Sequence, residues 1–306
     1  MHRSDLIEVI DVGNELGEGV LWRASDQTVW WTDILSMRLY QFNWDDHGVT
    51  SFKTPARLTA FSFVEGTDDI LLAAFDEGLA YFEPATGRTE WLDRPDELAG
   101  KGLRLNDGRT DPQGRFWVGS MVEGENEGGE RVSGILYRVD ADEKLVSVKG
   151  GIQISNGLAW SPDGSELYFA DSPTGKVSRA SFNKATGGPG PFADWLSIED
   201  ASPDGGVTDA EGYYWSALWG GSRVHRYSPS GELDLSLKIS CPQPTCVAFG
   251  GPRLDHLIIT SARTGLSDEV LSEHSLSGGL YIFETPFRGI ESVRYKGSSW
   301  RQHWPH

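Results

Sequence analysis

The feature that most constrains the fold of this chain is a pattern of turns and strands that recurs six times. Each copy has a short segment, a turn such as SPDG at 161–164, and then an apolar, β-rich run such as residues 214–218. Turn residues set between apolar runs predict β-hairpins. The six copies begin at Gly17, Thr59, Leu105, Ser155, Pro203 and Pro244.

A further strand-like run follows each hairpin, and the copies recur every 41 to 50 residues. About four strands per period of this length is typical of a β-propeller. We therefore predict an all-β fold, a six-bladed β-propeller with four-stranded blades around a central channel, as a single domain over residues 1–306. Either LIEVIDVG at 6–13 or IESVRYKG at 290–297 is expected to complete a blade begun by the other end of the chain, which removes exposed strand edges.

Composition excludes several classes of partner. The formal net charge of -18, from 45 acidic and 27 basic residues, repels phosphate backbones and argues against nucleic acid. No run of 18 apolar residues and no apolar signal core is present, so neither a membrane span nor a secretory signal is expected. Cys241 and Cys246 form no metal-spaced pair and are expected to be buried thiols in a reducing compartment. We predict a cytoplasmic monomer or weak homodimer.

Alignment of the repeats on Trp160 predicts which side chains meet in the channel. Residues at equivalent positions near the start of the inner strands of a propeller all face its axis. The position four residues before Trp160 holds Asn156, and its equivalents are Glu18, Ala60, Asn106, Asp204 and Thr245. Asn156-Gly157 alone would indicate a hairpin turn. Its phase in the repeat instead predicts that Glu18, Asn106, Asn156 and Asp204 converge.

Such a cluster predicts a divalent cation, because two carboxylates a few ångströms apart repel each other strongly at low dielectric. Carboxylate and amide oxygens without sulfur suit Ca²⁺, Mg²⁺ or Mn²⁺, and a partial protein shell leaves positions for water and substrate. Fe²⁺ and Zn²⁺ stay open as alternatives. None of the seven histidines falls at the aligned position, which argues against a histidine-rich zinc site.

Four motifs in a fixed order carry a family resemblance. LGEGVLW, RLNDGRTDPQGRFWVGSM, ISNGLAWSPDG and PDGGVTDAEGYYW resemble the signatures of the senescence marker protein, gluconolactonase and luciferin-regenerating group of six-bladed propellers, over roughly residues 15–262. The resemblance implies one divalent metal ion, Ca²⁺ first among the candidates, held by Glu18, Asn156 and Asp204. Val20 stands where the family commonly has Pro, which affects loop rigidity more than chemistry.

The resemblance also implies a substrate site and a reaction. Arg104, Asn106 and Glu123 correspond to residues that contact the substrate. Most members are lactonases, carboxylic ester hydrolases that convert a sugar lactone such as a pentonolactone or gluconolactone to the aldonic acid in carbohydrate catabolism. The metal would polarise the lactone carbonyl, and Asp204 would act as general base. Asp107 is open between a role in orienting the metal ligands and that of a turn carboxylate.

The sequence leaves one alternative activity open and disfavours two other functions. Hydrolysis of phosphotriesters or fluorophosphates on the same metal propeller is an alternative activity. A non-catalytic propeller that binds protein is disfavoured by the four aligned polar residues, and a serine hydrolase by the absence of a nucleophile elbow.

Three further features are left open by the sequence. Asp33 and Asp171 either lie near the channel or accept backbone hydrogen bonds at strand ends. Trp219 is a candidate platform for a sugar ring. The Gly/Glu-rich residues 122–132 are expected to form a loop over one face, as a lid or as an insertion.

Overall fold

The computed structural model describes residues 4–96, 98, 102–124 and 132–304. Most of these residues lie in short antiparallel strands that form six small sheets in a ring. The predicted all-β, six-bladed propeller is confirmed. The predicted loop at 122–132 lies largely outside the described residues, since 125–131 are not among them.

The ring is built in chain order. The N-terminal strand and blade 1 comprise β1 (Asp5–Ile10), β2 (Gly17–Arg23), β3 (Thr28–Asp33), β4 (Arg38–Asn43) and β5 (Val49–Lys53). Blade 2 comprises β6 (Leu58–Phe63), β7 (Leu71–Phe75), β8 (Gly78–Glu83) and β9 (Arg88–Asp93), and blade 3 comprises β10 (Leu103–Thr110), β11 (Phe116–Val122), β12 (Gly134–Val139) and β13 (Leu145–Ile152).

The second half repeats this plan with small additions. Blade 4 has β14 (Ser155–Trp160), β15 (Glu166–Asp171), a 3₁₀ turn (Ser172–Thr174), β16 (Lys176–Asn183), β17 (Gly188–Pro189) and β18 (Ala193–Ser197). Blade 5 has β19 (Ser202–Thr208), β20 (Tyr214–Trp219), β21 (Arg223–Tyr227) and β22 (Leu233–Lys238). Blade 6 has β23 (Pro244–Gly250), β24 (His256–Ser261) and β25 (Leu280–Glu284), with α1 (Asp268–Glu273) before β25 and α2 (Trp300–His303) near the C-terminus.

The N-terminal strand closes the ring. β1 pairs antiparallel with β25, with Val9 opposite Tyr281, and so becomes the outermost strand of blade 6. The C-terminal segment does something else, because residues 290–293 line a small cavity of about 130 Å³ at the far end of the channel. Beyond them Tyr295 bridges to Val64 and Lys296 N–H donates to Gly114 O at 3.0 Å. This segment therefore ties blade 6 to blades 2 and 3 across the channel.

Buried aspartates fasten the inner hairpins. Asp111 accepts a hydrogen bond from Trp117 Nε1 at 3.1 Å, and Asp209 accepts one from Trp215 Nε1 at 2.9 Å. Both carboxylates are fully buried, and each also pairs with an arginine, Arg226 in the case of Asp209. Five strand tryptophans are at most 5% exposed and pack in the core: Trp22, Trp30, Trp117, Trp160 and Trp215.

Two further expectations bear on the whole chain. Cys241 and Cys246 are free and buried, as predicted. Within the described residues, neither helix has the length and apolar character needed to cross a membrane.

Candidate metal and substrate site

The inner strands share a break in their pairing at the aligned position. The register shifts between Glu18 and Leu21 in β2, and between Asn156 and Ala159 in β14. Equivalent shifts enclose Asn106 in β10 and Asp204 in β19. A bulge of this kind releases a residue from the ladder and redirects its side chain. The backbone irregularity thus falls where the repeat alignment places the polar residues.

Glycine makes two of these bulges possible. Gly19 and Gly157 directly follow Glu18 and Asn156, and their φ values of +60° and +67° lie in the region that L side chains rarely adopt. A Cβ on Gly157 would also lie 2.6 Å from the hydroxyl of Tyr214. Asn156-Gly157 therefore lies within β14 and not in a hairpin turn.

The four aligned polar residues line one cavity of about 310 Å³. Arg104 and Ser172 add polar groups to its wall, and the apolar part of the wall is formed by Leu16, Met121, Ile154, Pro173 and Trp219. Asn156 and Asp204 are 4% and 5% exposed, whereas Glu18 keeps partial exposure to the cavity. A polar floor under an apolar rim suits a small ligand that has both hydroxyl groups and C–H faces.

The two carboxylates of the floor lack a cationic partner at hydrogen-bond distance among the described residues. Burial, and then the charge of Asp107, raises the pKa of Glu18 to about 8. Burial, and then the charges of Glu18 and Asp107, raises the pKa of Asp204 well above its usual range. Asp204 Oδ1 is buried and has no hydrogen-bond partner in the described part of the chain. A divalent cation bound here would offset the repulsion between the two carboxylates and would give the buried Asp204 oxygen a partner.

The amides are held by a chain of hydrogen bonds. Asn106 Nδ2 donates to Ser155 O at 2.9 Å and to Asn156 Oδ1 at 3.2 Å. Asn156 Nδ2 donates to Ser172 Oγ at 2.8 Å, and Ser172 Oγ donates to Pro203 O at 2.7 Å. These bonds fix the amide plane of Asn156, and its Oδ1, with two lone pairs, retains capacity for a cation.

The proposed metal ligands combine carboxylate and amide oxygens. Among the described residues no group of three or more His, Cys, Asp or Glu side chains is arranged to hold a metal ion. The set formed by Glu18, Asn156 and Asp204 has only two carboxylates, and its third oxygen comes from an amide. Such a set is hard in character and leaves coordination positions open.

Arg104 links the floor of the cavity to its rim. Its Nη1 donates to Asn106 Oδ1 at 2.7 Å and to Leu105 O at 2.9 Å, and its Nε donates to Glu123 Oε1 at 3.0 Å. The hydrogen bonds of Arg104 to the described residues use Nε and Nη1 and none uses Nη2, although Arg104 lines the cavity. Arg104 therefore retains one donor for a ligand.

Glu123 lies behind Arg104 and does not line the cavity wall. Its two oxygens also accept hydrogen bonds from Arg57 Nη1 and Nη2 at 2.8 and 2.9 Å. Burial would raise the pKa of Glu123, but the hydrogen bonds from Arg57 and the charge of Arg104 outweigh it and lower the pKa on balance. Glu123 is thus an ionised acceptor shared by two guanidinium groups.

Asp107 is buried in β10, is not part of the cavity wall and is not in a turn. Burial raises its pKa on balance, against the charge of Arg109 and the backbone N–H groups of Leu158 and Gly157. These N–H groups belong to the bulge that follows Asn156. The geometry therefore favours the orienting role over that of a turn carboxylate.

Residues 16–263 match the family described as SMP-30/Gluconolactonase/LRE-like region. The chain belongs to this family. Its match confirms the resemblance carried by the four motifs.

Two curated relatives and one solved structure show the extent of the similarity. L-arabinolactonase of Azospirillum brasilense is 34% identical over 94% of this chain and 94% of the relative. The 6-deoxy-6-sulfogluconolactonase of Pseudomonas putida is 35% identical over 92% of this chain and 95% of the relative. The crystal structure of the calcium-binding protein regucalcin from Agrobacterium tumefaciens has a TM-score of 0.87 at 29% identity, covering 95% of this chain and 98% of that one.

In this member of the family, two strand-end carboxylates support the site indirectly. Asp33 accepts hydrogen bonds from Glu15 N at 2.9 Å and Leu16 N at 3.0 Å, and Asp171 accepts one from Ile154 N at 2.9 Å. Of the two interpretations left open by the sequence, backbone hydrogen bonding is the one observed. Each carboxylate holds the segment that leads into a proposed metal ligand.

Arg57 is the residue near the site that the repeat alignment missed. It precedes β6, whose aligned position holds the apolar residue Ala60. Its partner Glu123 is 66 residues away in sequence. Only the three-dimensional arrangement of blades 2 and 3 brings the two together.

Proposed function

We propose that this chain is a metal-dependent lactonase that hydrolyses a neutral sugar lactone, such as a pentonolactone or gluconolactone, to the aldonic acid. The observation that carries the proposal is the convergence of two carboxylates and two amides on one cavity that also presents a free arginine donor. Relatives named as sugar lactonases over nearly the whole chain support the same activity.

Glu18, Asn156 and Asp204 are the residues that would hold the cation. The unpartnered Asp204 Oδ1 and the all-oxygen donor set fit a divalent ion, and the calcium-binding description of a regucalcin structure favours Ca²⁺, with Mn²⁺, Mg²⁺, Zn²⁺ and Fe²⁺ as alternatives. When bound, the ion would act as a Lewis acid toward the lactone carbonyl.

Protein side chains would bind and orient the lactone. Arg104 offers its free Nη2 to a hydroxyl or ring oxygen, and Asn106 lies beside it on the cavity floor. Glu123 acts behind Arg104 as the carboxylate that sets its direction. Trp219 lines the apolar wall and suits the C–H face of a small ring.

Asp204 would act as the general base. Its carboxylate would accept a proton from water as the water oxygen bonds to the carbonyl carbon, and it would return that proton to the ring oxygen as the C–O bond breaks. The products are a carboxylic acid and the hydroxyl group of the opened chain.

A substrate panel tests this proposal. Protein stripped with a chelator should not hydrolyse pentono- and gluconolactones, and readdition of one divalent metal at a time should restore activity. Faster hydrolysis of phosphotriesters or fluorophosphates than of any sugar lactone would reject the lactonase assignment in favour of that alternative activity. Full activity after exhaustive chelation, with metal content verified, would reject the metal.

A further inference from the structure

A charged network outside the cavity wall converges on Glu123. Arg57 makes a two-pronged ion pair with the Glu123 carboxylate, and its Nε donates to Asp76 Oδ2 at 2.9 Å. The side chains of Arg57, Glu123 and Asp76 are 30%, 35% and 17% exposed, so the network is partly shielded from water. A forked pair of this kind fixes the orientation of a carboxylate as well as its charge.

Arg57 and Asp76 also hold β10, the strand that carries Arg104 and Asn106. Asp76 N–H donates to Arg57 O at 2.9 Å, and Leu105 N–H donates to Asp76 O at 2.9 Å. Leu105 lies between Arg104 and Asn106. Side-chain and backbone contacts therefore both connect Arg57 and Asp76 to the polar wall of the cavity.

The geometry of Arg104 shows what Arg57 prevents. Arg104 Nε already donates to Glu123 Oε1, and Nη2 lies on the same edge of the guanidinium, the edge that pairs side-on with a carboxylate. Glu123 Oε2 is engaged by Arg57 Nη2 at 2.9 Å. If Oε2 were released, Glu123 could turn to take both Nε and Nη2 of Arg104, and the free donor would be lost.

We propose that Arg57, held by Asp76, is a positioning residue that keeps Arg104 singly bonded to Glu123 and so leaves Arg104 Nη2 free to bind a hydroxyl group of the substrate. This inference rests on the proposed lactonase function. It makes Arg57 a determinant of affinity for hydroxylated lactones, although Arg57 does not line the cavity.

The chain offers a matched control. Arg94 pairs with Glu77 at 2.9 Å, one residue along from Asp76, and both side chains are about half exposed. An exposed pair of this kind contributes little to stability. Arg94→Met therefore removes an arginine and an ion pair from the same region without contact to Glu123.

The test compares Arg57→Met, Arg57→Lys and Arg94→Met in the full chain, on a pentono-1,4-lactone and on γ-butyrolactone, which has the same ring without hydroxyls. Arg57→Met should raise KM for the pentonolactone by about 10- to 100-fold with a smaller change in kcat, as expected for loss of a hydrogen bond to a charged group. Its kcat/KM on γ-butyrolactone should stay within about twofold of the wild type, because this lactone has no hydroxyl group for Arg104 to bind. Arg57→Lys should be intermediate, because an ammonium group cannot form the fork.

Two readouts do not depend on turnover. Binding of a 1,4-anhydropentitol, which has the hydroxylated ring but no carbonyl, should weaken in Arg57→Met and not in Arg94→Met. A crystal structure of Arg57→Met should show Glu123 paired with both Nε and Nη2 of Arg104. Equal losses on both lactones, or an unchanged Arg104–Glu123 pair with unchanged binding, would overturn the inference. A wild type that hydrolyses no lactone would reject the proposed function, and the crystal structure would still decide the role of Arg57.

Discussion

Replacing Glu18 with Gln should stabilise the metal-free protein. In the metal-free fold the pKa of Glu18 is raised from 4.5 to about 8, first by burial and then by the charge of Asp107. An acid whose folded pKa exceeds its unfolded pKa destabilises the fold as pH rises between the two values. At pH 7 the folded protein retains a proton that the unfolded chain has released, which costs at most about 3 kcal/mol.

The amide removes this cost and nearly keeps the shape of the side chain. For a chain of this size we expect the free energy of unfolding to increase by about 1–3 kcal/mol and the Tm to rise by about 2–5 °C at pH 7. The difference from wild type should be small near pH 4.5 and reach its maximum above pH 8. Added metal should stabilise the wild type and leave Glu18→Gln nearly unchanged, since the variant lacks a ligand.

Thermal or urea unfolding in chelator at pH 5, 7 and 8.5 measures this difference, with Glu77→Gln as the exposed control. A variant that is no more stable than the wild type at pH 8.5 would refute the reasoning. It would mean that the buried carboxylate is stabilised by contacts that the geometry of the channel does not contain.

Two further predictions concern the scaffold around the site. Gly157→Ala places a Cβ at a φ of +67° and 2.6 Å from Tyr214 Oη. It should therefore lower the free energy of unfolding by about 1–3 kcal/mol and reduce kcat/KM. An unchanged urea midpoint and unchanged activity would show that the bulge tolerates a side chain. Asp209→Ala leaves Trp215 Nε1 and the buried Arg226 without their shared acceptor. It should lower the free energy of unfolding, measured by chemical denaturation, by about 3–5 kcal/mol. A decrease of less than about 1 kcal/mol would contradict the role of Asp209 in stabilising the hairpin.

Much of the fold and of the candidate site follows from repeat phase. The position of Asn156 within its copy predicted that Glu18, Asn106 and Asp204 would share a cavity with it, because equivalent residues of inner strands face one axis. The same alignment correctly set aside Asn156-Gly157 as a hairpin turn. The position of the dipeptide in its blade, and not its own turn preference, determines its conformation.

Contacts between blades could not be predicted in this way. Arg57 and Glu123 meet because blades 2 and 3 are neighbours, and their separation of 66 residues leaves no periodic signal. Nothing in the repeat pattern indicates that the carboxylate of Asp209 points inward to Trp215. The sequence also left open which end closes blade 6, since β1 and residues 290–297 have similar strand-like composition.

Metal stoichiometry is the most direct test of the central claim that Glu18, Asn156 and Asp204 hold a divalent cation. Equilibrium binding to chelator-stripped protein should give one Ca²⁺ or Mn²⁺ site per wild-type chain and per Glu77→Gln chain. Glu18→Gln, Asn156→Ala and Asp204→Asn should each lose that site or weaken it by at least about tenfold, as loss of a ligand or its charge predicts. Full stoichiometry and unchanged affinity in all three variants would contradict the account.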